Sequence, residues 1–147
     1  MKSNIEIKTA GDLQSIKKCW RTMHELRPHI GEEEFAGIIQ RMFKNGFHMI
    51  YAEDENGEVV SVAGFEMGEK LHRGRYLYID DLSTLPSARN KGYGSMLLDW
   101  IFDFAKKNNI DQVHLDSGVH RFDAHRLYLK KGFHISSHHF SLVLKKD

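Results

Sequence analysis

The sequence predicts a single α/β (or α+β) domain, residues 1–147, built around one mixed sheet. Three observations carry that prediction. A chain of 147 residues has about the commonest size of one domain. Its hydrophobic content of 41% supplies a core, and its charges are nearly balanced, 21 basic against 20 acidic, unlike a disordered chain. Apolar residues alternate between period-two and helical spacing, in the order β-α-α-β-β-β-α-β-α-β, with a leading hairpin and a later β-α-β-α portion.

The elements follow in order. "IEIK" (5–8) reads as a short strand. Asp12 is placed to cap one helix with Leu13, Ile16, Trp20 and Met23 on a stripe that stops before Pro28. "GEEEFAGIIQRMFKNG" is a second helix, with Phe35, Ile38, Ile39, Met42 and Phe43 on one face. Three glutamates fill its first turn, where the helix dipole favours them, and Gly46 closes it. "FHMIYAED" and "EVVSVAGFEMG" flank the turn "ENG" and predict a hairpin. "RYLYIDDLSTL" is a third, longer strand. "GYGSMLLDWIFDFAKK" is helical, with Leu97, Leu98, Ile101, Phe104 and Ala105 on one face. "QVHLDSG" reads as a strand, "DAHRLYLKKG" as a short helix ending at Gly132, and "HHFSLVLK" as a final strand.

Charge and cysteine usage bound the function. A net charge of +1 predicts no general affinity for nucleic acid or an anionic membrane. No apolar run approaches 18 residues, so no spanning helix is expected. The N-terminus lacks the apolar stretch of a secretory signal. Cys19 is the single cysteine, which fits a reducing, cytoplasmic compartment.

"SARNKGYGSM" (87–96) is the most informative stretch. Pro86 stops the preceding strand, and a helix begins around Gly92 to Ser95. The first amides of a helix have no partners of their own and, with the dipole, make an anion site. Gly92 and Gly94 let a phosphate approach, and Arg89 and Lys91 supply charge. The dinucleotide fingerprint G-x-G-x-x-G fails at Leu97, and G-x-x-x-x-G-K-[ST] is absent. A close-packed glycine turn is the plain structural alternative.

"ARNKGYG" matches R-x-x-G-x-G, and here the chain resembles the GNAT N-acetyltransferase superfamily. "DLSTLPSARNKGYGSMLLDWIFDFAK" is similar to that family's strand, loop and helix at coenzyme A. "AHRLYLKKGF" is similar to its A-x-x-x-Y-x-x-x-G-F segment. The resemblance implies a mixed, mostly antiparallel sheet of about seven strands flanked by four helices, with the fourth and fifth strands splayed. It implies acetyl-coenzyme A as acyl donor in the gap between those strands. The diphosphate would sit on the amides of Asn90, Lys91, Gly92, Tyr93, Gly94 and Ser95. The pantetheine would pair near Leu82, Ser83 and Thr84, with an amide at Thr84 or its neighbour holding the thioester carbonyl. Where many members have asparagine, this chain has Arg121, which is placed to reach a phosphate or an acidic acceptor.

Acetylating an amine requires removing its proton, since a free alkylamine has a pKa of about 10.4. By resemblance Tyr128 donates to the coenzyme A sulfur. Three carboxylates are candidate bases. Asp116, read as a strand residue, stands twelve residues before Tyr128, the spacing of the family's strand-borne acid. Asp80 and Asp81 follow in "YIDD"; strict alternation puts them on opposite faces, and a bulge would change that. Each also has a structural alternative, pairing with Arg75 or Arg121. The ten histidines show no metal-ligand spacing, and no metal is expected.

The expected activity is direct transfer of acetyl to a primary amine, on a small molecule or a peptide, in a ternary complex. Cys19 lies far in sequence from the motifs, which disfavours an acetyl-cysteine intermediate. The alternative is a non-catalytic acyl-coenzyme A sensor module. Acceptor identity stays open, and dimers are common in the family.

Overall fold

The computed structural model describes residues 5–145. Two compact units divide between Leu115 and Asp116. The first holds one five-stranded sheet in the order β1-β2-β3-β4-β5, made of β1 (Ile7–Thr9), β2 (Phe47–Glu53), β3 (Val59–Lys70), β4 (Gly74–Thr84) and β5 (Gln112–Leu115). β1 through β4 are antiparallel neighbours, and β4 with β5 is parallel. The β2–β3 hairpin turns at Gly57, whose φ of 77° is left-handed, while Asp54 N–H donates to the Glu58 carbonyl at 2.8 Å.

Helices α1 (Leu13–Lys18), α2 (Trp20–Leu26) and α3 (Glu32–Lys44) cover one face. Ile16, Cys19, Met23, Phe35 and Ile39 pack there against Phe47, Met49, Tyr51 and Val62. Period-two alternation sends the intervening side chains to the other face. On that face Phe65 meets Trp100 and Phe104 of α4 (Tyr93–Lys107). α4 connects parallel β4 to β5, as a parallel pair requires.

Local chemistry explains the helix starts. Asp12 Oδ1 accepts from Ser15 N–H at 2.8 Å and caps α1. A Glu34 carboxylate oxygen accepts from Gly31 N–H at 2.9 Å ahead of α3. The helix expected to run unbroken past Leu13 is instead two. Cys19 N–H donates to the Ile16 carbonyl at 3.0 Å, a tightened turn that keeps Ile16, Cys19 and Met23 all buried. The described residues therefore form five α-helices rather than the expected four.

The second unit contains α5 (Phe122–Lys130). Gly132, with φ 102°, ends it, and Phe133 N–H donates back to the Tyr128 carbonyl at 3.0 Å. The expected final strand over 138–145 does not form; residues 133–145 adopt no regular structure. β5 also ends at Leu115, before the expected Gly118. Among the described residues the sheet thus has five strands, not about seven.

Candidate functional site

The site in the first unit is built on an irregularity in β4. Leu82 pairs with Ala63 and Asp81 with Gly64, but the next pair is Ile79 with Phe65. Asp80 is therefore the extra residue of a β-bulge. The parallel ladder with β5 also stops at Ile79 and Leu115, while β4 continues to Thr84. Residues 80–84 consequently have β3 on one side and no paired strand on the other among the described residues. The resemblance implied that the fourth and fifth strands splay, and their ladder ends at this point.

The bulge puts two carboxylates on one face. Alternation from Ile79 leaves Asp80 on the side of Tyr78. Asp81 lies against Gly64, where a Cβ would come 3.0 Å from Asp81 Oδ2. On that same side Ser83 Oγ donates to the Thr22 carbonyl of α2 at 2.9 Å. Strict alternation had put Asp80 and Asp81 on opposite faces; the bulge brings them together. Glu66, opposite Tyr78 in the ladder, adds a third acid.

Burial raises the Asp80 carboxyl to a pKa of about 6, helped by the negative charges of Glu66 and Asp81 and opposed by Arg27. Burial also pushes Asp81 above the usual carboxylate range, while its hydrogen bond and charge pairing with Arg27 pull it down. Arg27 Nε donates to Asp81 Oδ1 at 2.8 Å, and Nη2 donates to the Asp80 main-chain carbonyl at 2.8 Å. Neither Arg27 nor Glu66 was singled out from sequence. Glu66 carries a period-two signal; Arg27 carries only its place before Pro28 at a helix end.

After β4 comes a 3-10 turn (Pro86–Ala88) and then α4. Asn90 and Gly92 take left-handed φ values of 64° and 87°. Gly92 is the N-cap of α4, with no side-chain capping bond. The main-chain N–H groups of Tyr93, Gly94 and Ser95 thus open the helix without a capping side chain. Asn90 and Lys91 are exposed, and Tyr93 is buried. Arg89 Nε donates to the Thr84 carbonyl at 3.3 Å, which ties the loop to the end of β4. Leu82 lies between buried Ser83 and half-buried Asp81. Thr84 Oγ1 shares a 2.8 Å hydrogen bond with Ser61 Oγ of β3.

In the second unit Asp116 stands one position past the end of β5, not within a strand. Its Oδ2 lies 3.4 Å from His139 Nδ1. Tyr128 is buried on α5, its ring edge-on to Phe133 at 5.9 Å. Burial raises the Tyr128 hydroxyl pKa, and the Arg121 charge offsets part of that rise. Arg121 is the N-cap of α5, its N–H donating to the Gly118 carbonyl at 3.0 Å. Cys19 is fully buried, and burial pushes its thiol up to about 12, which makes it a poor nucleophile. Among the described residues no group of three or more His, Cys, Asp or Glu forms a metal cluster. No described helix is long and apolar enough to cross a membrane.

Comparison with known proteins bears on these features. The chain is 34% identical over 137 residues to the uncharacterised N-acetyltransferase YhdJ of Bacillus subtilis, covering 92% of this chain and 96% of that one. It is 34% identical over 90 residues to the aminoalkylphosphonate N-acetyltransferase of Salmonella typhimurium, covering 60% of this chain and 58% of that one. The crystal structure of a Trypanosoma brucei acetyltransferase superposes with a TM-score of 0.80 at 21% identity, over 96% of this chain and 100% of that one, a likeness of fold. The model of the acetyltransferase (GNAT) family matches residues 13–133, a span that includes the bulge, the glycine loop and Tyr128, and the chain belongs to that family.

Proposed function

We propose that this protein transfers acetyl from acetyl-coenzyme A directly to a primary amine in a ternary complex. The observation that carries the reading is the β4 bulge. There the β5 ladder ends, which leaves one edge of residues 80–84 without a paired strand, just ahead of a helix that opens at left-handed Gly92. In this reading the amides of Asn90 to Ser95 hold the diphosphate, with Arg89 and Lys91 adding charge. Leu82, Ser83 and Thr84 pair with the pantetheine. A main-chain N–H at Thr84 or its neighbour holds the carbonyl oxygen and stabilises the charge that develops on it. Arg121 meets a phosphate or an acidic acceptor.

Asp80 is the base. A carboxyl with a pKa of about 6 is ionised near neutrality and still basic enough to accept an ammonium proton, directly or through water. The neutral amine then attacks the carbonyl carbon, the C–S bond breaks, Tyr128 supplies a proton to the departing sulfur, and the proton lost from the new amide nitrogen returns through water to Tyr128. Its raised pKa keeps Tyr128 protonated for that step. Asp81, tied to Arg27, helps attract a cationic acceptor together with Glu66. Asp116, paired with His139, is the second candidate for substrate binding. The fully buried Cys19 supports direct transfer over a cysteine intermediate and fits a reducing, cytoplasmic setting. A homodimer belongs to the same reading; the exposed apolar residues near the C-terminus support it.

Consumption of acetyl-coenzyme A against a diverse amine panel tests the reading. Small amines, aminoalkylphosphonates, polyamines and lysine peptides should all be included. At least one amine is expected to be acetylated. The Tyr128→Phe variant should bind coenzyme A nearly normally and turn over about ten- to a hundredfold more slowly. No turnover with any amine, while coenzyme A still binds, would remove the enzyme reading.

A further inference from the structure

We propose that Arg27 is a positioning residue, whose guanidinium fork grips the Asp80 carbonyl and the Asp81 carboxylate together and so sets how the Asp80 carboxyl projects and how readily it takes up a proton. The Asp80 peptide is orphaned by both strand ladders. Asp80 has no cross-strand partner in the β3 ladder, which skips it, or in the β5 ladder, which stops one residue earlier. A partly buried carbonyl left unpaired costs about 1–3 kcal/mol. Arg27 supplies the donor from Nη2 at 2.8 Å while Nε holds Asp81 at 2.8 Å. Two donors in one rigid plane fix the peptide and its neighbour at once, which a lysine ammonium on a flexible stem does not reproduce.

Arg27 is itself held. It ends α2, with its N–H on the Met23 carbonyl at 2.9 Å, and its carbonyl accepts from Ile30 N–H at 3.1 Å. The Ile30 carbonyl in turn accepts from Trp20 Nε1 at 3.0 Å. Pro28 follows Arg27 and pushes it off helical geometry, to φ −122° and ψ 67°. α2 is docked on the sheet through Thr22, whose hydroxyl donates to the Val59 carbonyl at 2.8 Å and whose carbonyl accepts from Ser83 Oγ. The fork therefore reaches the bulge from a rigid base.

The charged groups around the Asp80 carboxyl are Glu66 on β3, Asp81 beside it on β4, and Arg27 at the end of α2. Removing each neighbour has a defined sign. Arg27→Gln removes the one cation and should raise the Asp80 pKa by about one pH unit. Asp81→Asn removes an anion and leaves Arg27, so it should lower the Asp80 pKa by a similar amount. If Arg27 served only to hold the fold, its loss would loosen the site and hydrate Asp80. That would lower the pKa, because burial is the main cause of its rise.

Carboxyl carbon NMR titration of protein labelled at aspartate, with Asp80→Asn to assign the signal, reads this without any substrate. Opposite movements in Arg27→Gln and Asp81→Asn are expected. Movement in the same direction, or no movement in Arg27→Gln, would overturn the inference. Should Arg27→Gln not fold, Asp81→Asn decides alone, and an unchanged or raised pKa there would overturn it. The inference rests on Asp80 being the base of the proposed transfer. If the titrations move as stated and the kcat/KM profile of the same variants does not follow, the base assignment fails while the role of Arg27 stands.

Discussion

Asp80 carries opposite consequences for catalysis and for stability, and both follow from one perturbed carboxyl. Its pKa is raised from an ordinary 3.8 to about 6, so the folded protein binds that proton more tightly than the unfolded chain does. The stability it contributes is therefore full below about pH 4 and is lost as pH rises through about 6. Asp80→Asn should stabilise the protein at pH 7 by about 1–2 kcal/mol, after allowance for partial exposure. Thermal melts should show a Tm about 2–5 °C higher at neutral pH, with the gap closing near pH 4. The same variant should lose about a hundred- to ten-thousandfold in kcat/KM, and the parent's acid limb near pH 6 should vanish from its profile. An Asp80→Asn enzyme of normal rate would move the base to Asp81 or Asp116. Sequence brought Asp80 and Asp81 forward because acids inside a strand are unusual. It left their faces undecided, since the bulge depends on how β3 meets β4. Gly64, with no side chain, makes room there for the Phe47 ring and, at its edge, Asp81. Arg27 lies 54 residues from Asp81 in the chain, and no local pattern connects them.

Elements that declare themselves locally were legible in advance. α3 shows its apolar stripe, three first-turn glutamates and Gly46; α4 shows a long stripe behind two glycines. The break at Cys19 was not legible, because Leu13, Ile16, Trp20 and Met23 make the same stripe whether the helix is continuous or tightened at one turn. Gly92 allows a test of the glycine loop at this scale. Its φ of 87° costs any residue with a Cβ about 1–2 kcal/mol, so Gly92→Val should destabilise the start of α4. It should also weaken acetyl-coenzyme A binding by about tenfold or more, measured by calorimetry. Gly46→Ala is the control. Gly46 has a similar φ of 93° with nothing within 4 Å of an added Cβ, and it ends α3. It should cost comparable stability and leave the affinity unchanged. Equal affinities for the parent and Gly92→Val would detach the glycine loop from the diphosphate.

At the scale of the whole molecule, the place where pattern and structure part is the C-terminal segment. "HHFSLVLK" alternates as a strand should, yet a strand also needs a partner for its N–H and C=O groups. Without one, Phe140, Leu142 and Leu144 stand 92%, 83% and 88% exposed. Of the ten large hydrophobics exposed among the described residues, eight belong to the second unit. A chain with a net charge of +1 has little self-repulsion to keep such surfaces apart. Association of copies would cover them at no new covalent or conformational cost to the first unit, so the protein should sediment as a dimer. Phe140→Asp combined with Leu142→Asp places two like charges in that exposed apolar segment and should shift sedimentation toward the monomer. The sheet of the first unit lacks these residues altogether, so its far-ultraviolet circular dichroism should survive the change. A parent protein that sediments as a monomer at every concentration would mean that these side chains remain in water, and the period-two pattern of the segment would then have no packing role.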